Sequence, residues 1–134
     1  MPIEPGLRAT AELTVTPADT AEALGSGTVP VLGTPRVVAL CEEAIVNALE
    51  EHLEPGTSTV GMKVQIDHLQ PSVIGTPVEA EAVLETIKGR RLSFAVSATD
   101  PRGLVAAGRV TRVIVDVERF LEMAQHPDDN DQDP

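Results

Sequence analysis

The stretch from residue 33 to residue 56, GTPRVVALCEEAIVNALEEHLEPG, reads as one helix with a start, a stop and a doubled charge in its middle. Thr34 is placed to cap it, and Pro35 suits the first helical position, where a missing N–H is no loss. The EPG of residues 54–56 stops it. At ~100° per residue, Val37, Val38, Cys41, Ala44, Ile45, Ala48 and Leu49 gather on one side, and Arg36, Glu43, Asn47 and Glu50 gather opposite. The adjacent glutamates therefore differ. Glu43 belongs to the wet stripe, whereas Glu42 falls between Val38 and Leu49, beside Val46 and Leu53, on the flank of the apolar arc.

Around this helix the period is two. LRATAELTVT (7–16) alternates as a strand and is broken by PAD; the small, Gly- and Pro-punctuated segment 19–33 is a loop with one helical turn near Thr20–Leu24. After the helix, TVGMKVQIDHL (59–69) points Val60, Met62, Val64, Ile66 and then His68 one way, and Gly61, Lys63, Gln65 and Asp67 the other. QPSVIGTP interrupts pairing. VEAEAVLETI, RLSFAVSAT and LVAAGRVTRVIVDV follow as strands, joined by tight turns at KGR and DPRG, and ERFLEMA adds a short terminal helix. The order is strand, loop, long helix, then four consecutive antiparallel strands. That predicts a two-layer α+β domain of the hotdog type, one long central helix wrapped by a five-stranded antiparallel sheet. Its open sheet edges predict a homodimer.

A chain of 134 residues supports one domain with a real core, expected over 1–125. With Phe94 and Phe120 as its only phenylalanines and no Trp or Tyr, the core must be built from Val, Ala, Leu and Ile. HPDDNDQDP (126–134) has no apolar residue and reads as an acidic disordered tail. A net charge of -11 argues against nucleic acid, whose phosphates ask for a basic face. No stretch is apolar enough for a membrane span and no secretory leader opens the chain, so a cytoplasmic protein without membrane contact is expected. The single Cys41 leaves no internal disulfide and no multi-cysteine zinc site.

Several chemistries are absent from the pattern. There is no G-x-S-x-G elbow; GSGTVP has Pro30 where a dinucleotide fingerprint needs glycine; His52, His68 and His126 lack metal-ligand spacing. Glu42 and His68 remain. A carboxylate on an apolar flank pays for desolvation with a partner or a raised pKa, which makes it a candidate base or nucleophile; a glutamate reaching back to solvent is the plainer alternative. For His68 the plainer alternative is a satisfied core histidine. Thr34 sits where free N–H groups and the helix dipole favour developing negative charge. A strand packed across the helix would place His68 near both, opening all three into one cleft. A hydroxyl, a carboxylate and an imidazole so gathered can hydrolyse an acyl group.

At these residues the sequence resembles the fluoroacetyl-CoA thioesterase-like hotdog family, over roughly residues 5–120. The matching pieces are GTPRVVALCEEA, LEPGTSTVGMKVQIDHLQPSVIGTPVEAEA, GRRLSFAVSATD and GRVTRVIVDVERF. The resemblance implies a Thr34, Glu42, His68 catalytic set, with Gly61 and Arg112 as substrate-binding candidates, and for Arg112 a salt bridge or dimer contact explains the residue equally well. It implies hydrolysis of an acyl-CoA thioester, with Glu42 attacking the carbonyl or activating water, and no metal or redox cofactor, coenzyme A being part of the substrate. Arg90, Arg91 and Arg102 are possible partners for its phosphates. The fluoroacetyl-specific member of the family carries phenylalanines in the loop before the helix. Here TAEALGSGTVPVLG has none, so a different acyl group, small or unidentified, is expected. A non-hydrolytic acyl-CoA-binding module is the alternative, and a hotdog dehydratase a third reading.

Overall fold

A computed structural model describes residues 2–126; the acidic tail expected at 126–134 lies, apart from His126, outside the described residues. Five strands form one antiparallel sheet: β1 (Arg8–Thr14), β2 (Thr57–His68), β3 (Pro77–Lys88), β4 (Arg91–Asp100) and β5 (Gly103–Asp116). A short helix α1 (Ala21–Leu24), the long α2 (Thr34–Leu49) and the terminal α3 (Val117–Gln125) complete the chain. The α+β architecture expected from the two periods is therefore present, a helix laid along one face of a sheet.

The buried face of α2 consists of Val37, Leu40, Cys41, Ala44, Ile45, Ala48 and Leu49. Three of the seven, Cys41, Ala44 and Ala48, are small. Opposite it stand Ala80, Ala82 and Leu84 from β3 and Leu92, Phe94, Val96 and Ala98 from β4, each placed inward by strand alternation. Phe94 is the one large ring in this core and is fully enclosed. Deleting a ring so enclosed costs about 3–5 kcal/mol in comparable cores. Cys41 lies in the same layer, and burial, with the charge of Glu42 second, pushes its thiol up to about 11. It is a packing residue and not a nucleophile.

The helix boundaries differ from the expectation at both ends. Gly33 is the N-cap and Thr34 the first helical residue, with Pro35 second. The N–H groups of Arg36 and Val37 already bond the Gly33 carbonyl, so the Thr34 hydroxyl is released from capping. At the other end the helix stops at Leu49, well before EPG, and residues 50–56 form turns closing on Gly56 at φ 81.

Strand order is β1-β3-β4-β5-β2. The strands are not one meander: β3, β4 and β5 are consecutive neighbours, but β2 crosses to the far edge and pairs only with β5. The segment QPSVIGTP makes that crossing possible, since it leaves the ladder after His68 and bonds instead to the loop before α2, through Leu32 N–H to the Ser72 carbonyl. The β2–β5 ladder also carries a register shift between Gly61 and Lys63. A bulge reverses the facing of every residue on one side of it. Thr59 and Gly61 consequently face the helix together with Val64, Ile66 and His68, so Gly61 lies on the opposite side from the one that strict alternation assigns.

The connection from β1 to α2 is held more firmly than its composition indicates. A capping box closes its start, with the Thr16 N–H and hydroxyl both donating to Asp19 Oδ2 at 2.7 Å. Arg36 of α2 then donates to Asp19 Oδ1 at 3.2 Å and to Glu43 Oε2 at 2.6 Å. Burial pushes the Asp19 carboxyl up, but its bonds from Thr16 and the Arg36 charge outweigh this and hold it below its ordinary 3.8. Bridges Thr20–Leu32 and Val31–Val73 pin the loop's return.

Gly108 of β5 shows how tightly β2 is seated. A Cβ there would collide with the Gln65 carbonyl oxygen and lie 2.7 Å from the Ile66 Cα, both backbone. We expect Gly108→Ala to lower stability by about 1–3 kcal/mol through forced displacement of β2. Thermal denaturation followed by circular dichroism measures it; an unchanged melting temperature would show that β2 can move away freely.

Candidate active site

The residues singled out in the sequence form two clusters. In the first, at the N-terminus of α2, Thr34 Oγ1 lies 2.8 Å from His68 Nδ1. The helix places the hydroxyl by starting one residue earlier than its apparent cap, and β2 brings the imidazole at its last residue. Both line a cleft of about 340 Å³ with Val29, Val31 and Leu69, closed on one side by the loop from Ala21. His68 Nε2 is buried and is the one such side-chain nitrogen or oxygen among the described residues without a hydrogen-bond partner.

Burial draws the His68 imidazole below its ordinary 6.5, against a smaller opposing pull from the Gln70 backbone. The positive end of α2 works in the same direction as burial. At neutral pH the ring is therefore uncharged and able to accept a proton.

The second cluster gathers about Glu42. Arg112 Nη1 donates to Glu42 Oε2 at 2.7 Å. Its Nε and Nη2 donate to the Thr59 hydroxyl at 3.2 Å, and Nη2 also to the Thr59 carbonyl at 2.9 Å. Arg112 is 9% exposed, and its donors are turned into the protein. Of the readings open for this residue, the salt bridge is formed within the chain. The desolvation of Glu42 on the apolar flank is thus answered by a guanidinium, while Glu43 is exposed and pairs with Arg36, as the periodicity divided them.

Gly61 belongs to this cluster for a steric reason. A Cβ at Gly61 would stand 2.8 Å from Glu42 Oε2 and 3.4 Å from Arg112 Nη1. The missing side chain is the space that the carboxylate occupies. Glu42 and Arg112 line an open cleft of about 320 Å³ with Ala39 and Val46.

Within one chain the two clusters do not merge into the single cleft expected from the sequence. Eight residues of helix between Thr34 and Glu42 span ~12 Å. Along β2 the clusters stand still further apart, from Gly61 to His68. Thr34 and His68 meet, as do Glu42, Gly61 and Arg112, and Thr34 with His68 lines one cleft while Glu42 with Arg112 lines another. Arg90, Arg91 and Arg102, considered for phosphate contact, are exposed at turns, with Arg90 Nη1 reaching the Ile114 carbonyl at 3.4 Å.

Sequence reasoning missed Thr59, Asp19 and the bulge. The T-P-A-D signature at residues 16–19 was legible as a capping box. Thr59 and the bulge were not, because both depend on the facing of β2 against β5.

One long helix along a five-stranded antiparallel sheet, with polar clusters on the helix and the edge strand, defines a hotdog-fold thioesterase-type domain. The profile of the fluoroacetyl-CoA-specific thioesterase family matches residues 15–118, and the chain belongs to that family. It is 34% identical over 90 residues to a fluoroacetyl-CoA thioesterase of Streptantibioticus cattleyicolor, a match spanning 67% of this chain and 65% of that protein. The solved fluoroacetyl-CoA thioesterase FlK superposes with a TM-score of 0.87 at 29% identity, covering 98% of both chains. A thioesterase superfamily member from Thermus thermophilus superposes at 0.86 with 30% identity, covering 96% of each.

Gly61→Ala should leave the melting temperature near that of wild type, since the group displaced is the end of a flexible side chain. A structure of the variant should show Glu42 moved off Arg112; an unmoved carboxylate would refute the steric role. The His68 imidazole, followed by NMR, should titrate below 6.5. Because its folded value is lowered, stability from the neutral ring is fully present above the unfolded value and is lost as pH falls through the lower, folded one. A midpoint above 6.5 would contradict the buried, uncharged ring.

Proposed function

We propose that the protein is an acyl-CoA thioesterase that acts as a homodimer, with Thr34, Glu42 and His68 as its catalytic set. The observation that carries the reading is a family membership combined with two prepared polar groups. One is an arginine-held carboxylate set against a glycine backbone; the other is a neutral imidazole bonded to a hydroxyl at a helix N-terminus. Hydrolysis of a thioester needs an attacking oxygen, a proton acceptor and stabilisation of the carbonyl oxygen as it becomes negative.

The Glu42 carboxylate attacks the acyl carbonyl and expels the coenzyme A thiolate, leaving an anhydride that water cleaves, or it takes the proton of a water that attacks instead. In both routes one water is consumed, and free acid and thiol leave. The neutral His68 ring accepts a proton from the attacking water and, once protonated, returns one to the departing sulfur. Thr34 fixes the ring through Nδ1, and Arg112 fixes Glu42, so we read Arg112 as a positioning residue. The Gly61 N–H is the candidate oxyanion donor. These side chains and water supply the whole reaction, and coenzyme A enters only as part of the substrate.

The uncovered edge of β2, on which Met62 and Val64 are exposed, supports the dimer, whose interface would carry the pantetheine arm. The cleft at Thr34 and His68 is lined by Val29, Val31 and Leu69 and contains no aromatic side chain other than the His68 imidazole. That lining favours a small aliphatic acyl group over a fluoroacetyl-specific fit. Among the described residues no helix is long and apolar enough to cross a membrane, which accords with a cytoplasmic role.

Thiol release from a panel of short acyl-CoA thioesters is the test. Glu42→Ala and His68→Ala should each lower kcat by about 10²–10⁴-fold, the usual worth of a positioned acid or base. Glu43→Ala should remain near wild type. Binding of acyl-CoA without thiol release by the wild type would replace the enzyme by an acyl-CoA-binding module.

A further inference from the structure

The cleft at Thr34 and His68 seats the acyl group in the proposed thioesterase reading, on which this inference rests. Two separate stretches of chain wall it. One is the loop from Ala21 to Leu32; the other is the run from His68 to Pro71, where the chain leaves β2 on its way to β3. The walls are tied together just past Pro71. Leu32 N–H donates to the Ser72 carbonyl at 2.8 Å, and Val31 forms a bridge with Val73. Leu32 is buried in the core, so packing fixes its side of the tie. The width of the cleft then depends on where the crossing segment lies.

That segment is held at both ends by backbone bonds. Leu69 N–H donates to the Val105 carbonyl at 2.7 Å, and Gly75 N–H donates to the Val15 carbonyl at 2.8 Å. Between those ends Pro71, Val73 and Ile74 are turned to solvent, Val73 at 61% exposure and Ile74 at 47%. Side chains so placed bury little surface and hold the segment weakly. Ser72 alone in 71–75 is turned inward, at 2% exposure. Its hydroxyl donates to Asp100 Oδ2 at 2.9 Å, while Asp100 Oδ1 accepts from the Arg102 N–H at 2.8 Å in the turn between β4 and β5. A buried hydroxyl is costly without a partner, and a carboxylate is a strong one. The crossing segment is therefore moored to the sheet by one polar side chain at its middle.

We propose that the Ser72–Asp100 pair sets acyl specificity: it draws the crossing segment inward, fixes the gap between Pro71 and Val31, and so limits the length of acyl chain that the cleft admits. The pair touches no substrate atom and works as a positioning pair. With its hydrogen bond cut, residues 71–74 keep their end bonds and lose their mooring. The segment moves outward, the tie to Leu32 weakens, and the cleft opens beside Gln70 and Pro71. Thr34 and His68 stay where they are, because Thr34 belongs to α2 and His68 is paired with Ala106 in the β2–β5 ladder. The consequence is a change in which acyl chain is preferred, without a general loss of turnover.

The kcat/KM values for straight-chain acyl-CoA thioesters, from acetyl to octanoyl, read the effect. Wild type should favour the short members. Ser72→Ala and Asp100→Ala should each raise the octanoyl-to-acetyl ratio about tenfold or more, since one methylene in an apolar pocket already shifts selection by about that factor. Turnover of acetyl-CoA should stay near that of wild type. Ser72→Thr, which keeps the hydroxyl, should retain the wild-type ratio. The double substitution to alanine should match either single one, because both remove the same bond.

An unchanged ratio in a folded Ser72→Ala protein, an equal fall across the whole series, or effects that add in the double variant each overturn the proposal. So does a wild type with no preference for short chains. If circular dichroism shows that neither alanine variant folds, the pair is structural and the specificity role is overturned. If the wild type releases no thiol from any member, the hydrolytic reading fails; calorimetric Kd values for the same series then give the octanoyl-to-acetyl ratio for binding, with the same expected shift. A wild type that binds no member overturns both.

Discussion

The Arg112 guanidinium joins three elements at one point. From β5 it reaches the hydroxyl and carbonyl of Thr59 on β2 and the carboxylate of Glu42 on α2. The Glu42 side chain retains 29% of its exposure, so the pair adds little net stability after its desolvation is counted. Its value is geometric. A carboxylate on a helix flank has several rotamers; bonded to a buried guanidinium and set against a residue without Cβ, it has one place to be. The bulge on β2 is what turns Gly61 toward that place.

The other end of the helix follows the same logic with different groups. Because Gly33 takes the capping position, the Thr34 hydroxyl is free to bond His68. The capping box at Thr16–Asp19 and the Arg36 bridge hold the incoming loop so that the helix start is fixed. Helix and sheet therefore present two rigid polar groups at opposite ends of one edge strand, each supported from within the protein.

Much of this was legible in the sequence. The division of Glu42 from Glu43 follows from a 3.6-residue period, and five strands follow from alternation and turn chemistry. Thr34, Glu42 and His68 were singled out there by cap position, helix phase and strand alternation respectively, together with the family resemblance. Three things were not legible. The crossing of β2 beyond β5 depends on long-range pairing, and no local signal in QPSVIGTP distinguishes it from a simple return. The bulge shifts facing by one residue, and alternation alone assigns Gly61 to the wrong side. The true cap at Gly33 lies one residue before the stronger capping side chain, because the loop anchored at Asp19 fixes where the helix begins.

What the sequence determined by itself is thus the class of fold, the buried face of the helix and the identity of the polar groups, because each depends on residues near one another in the chain. The tertiary structure alone decided which of those groups meet. Contacts of Arg112 with Glu42, and of Thr34 with His68, join residues far apart in the chain, and their pairing is set by strand order and by a single extra residue in β2. Local periodicity carries no information about either.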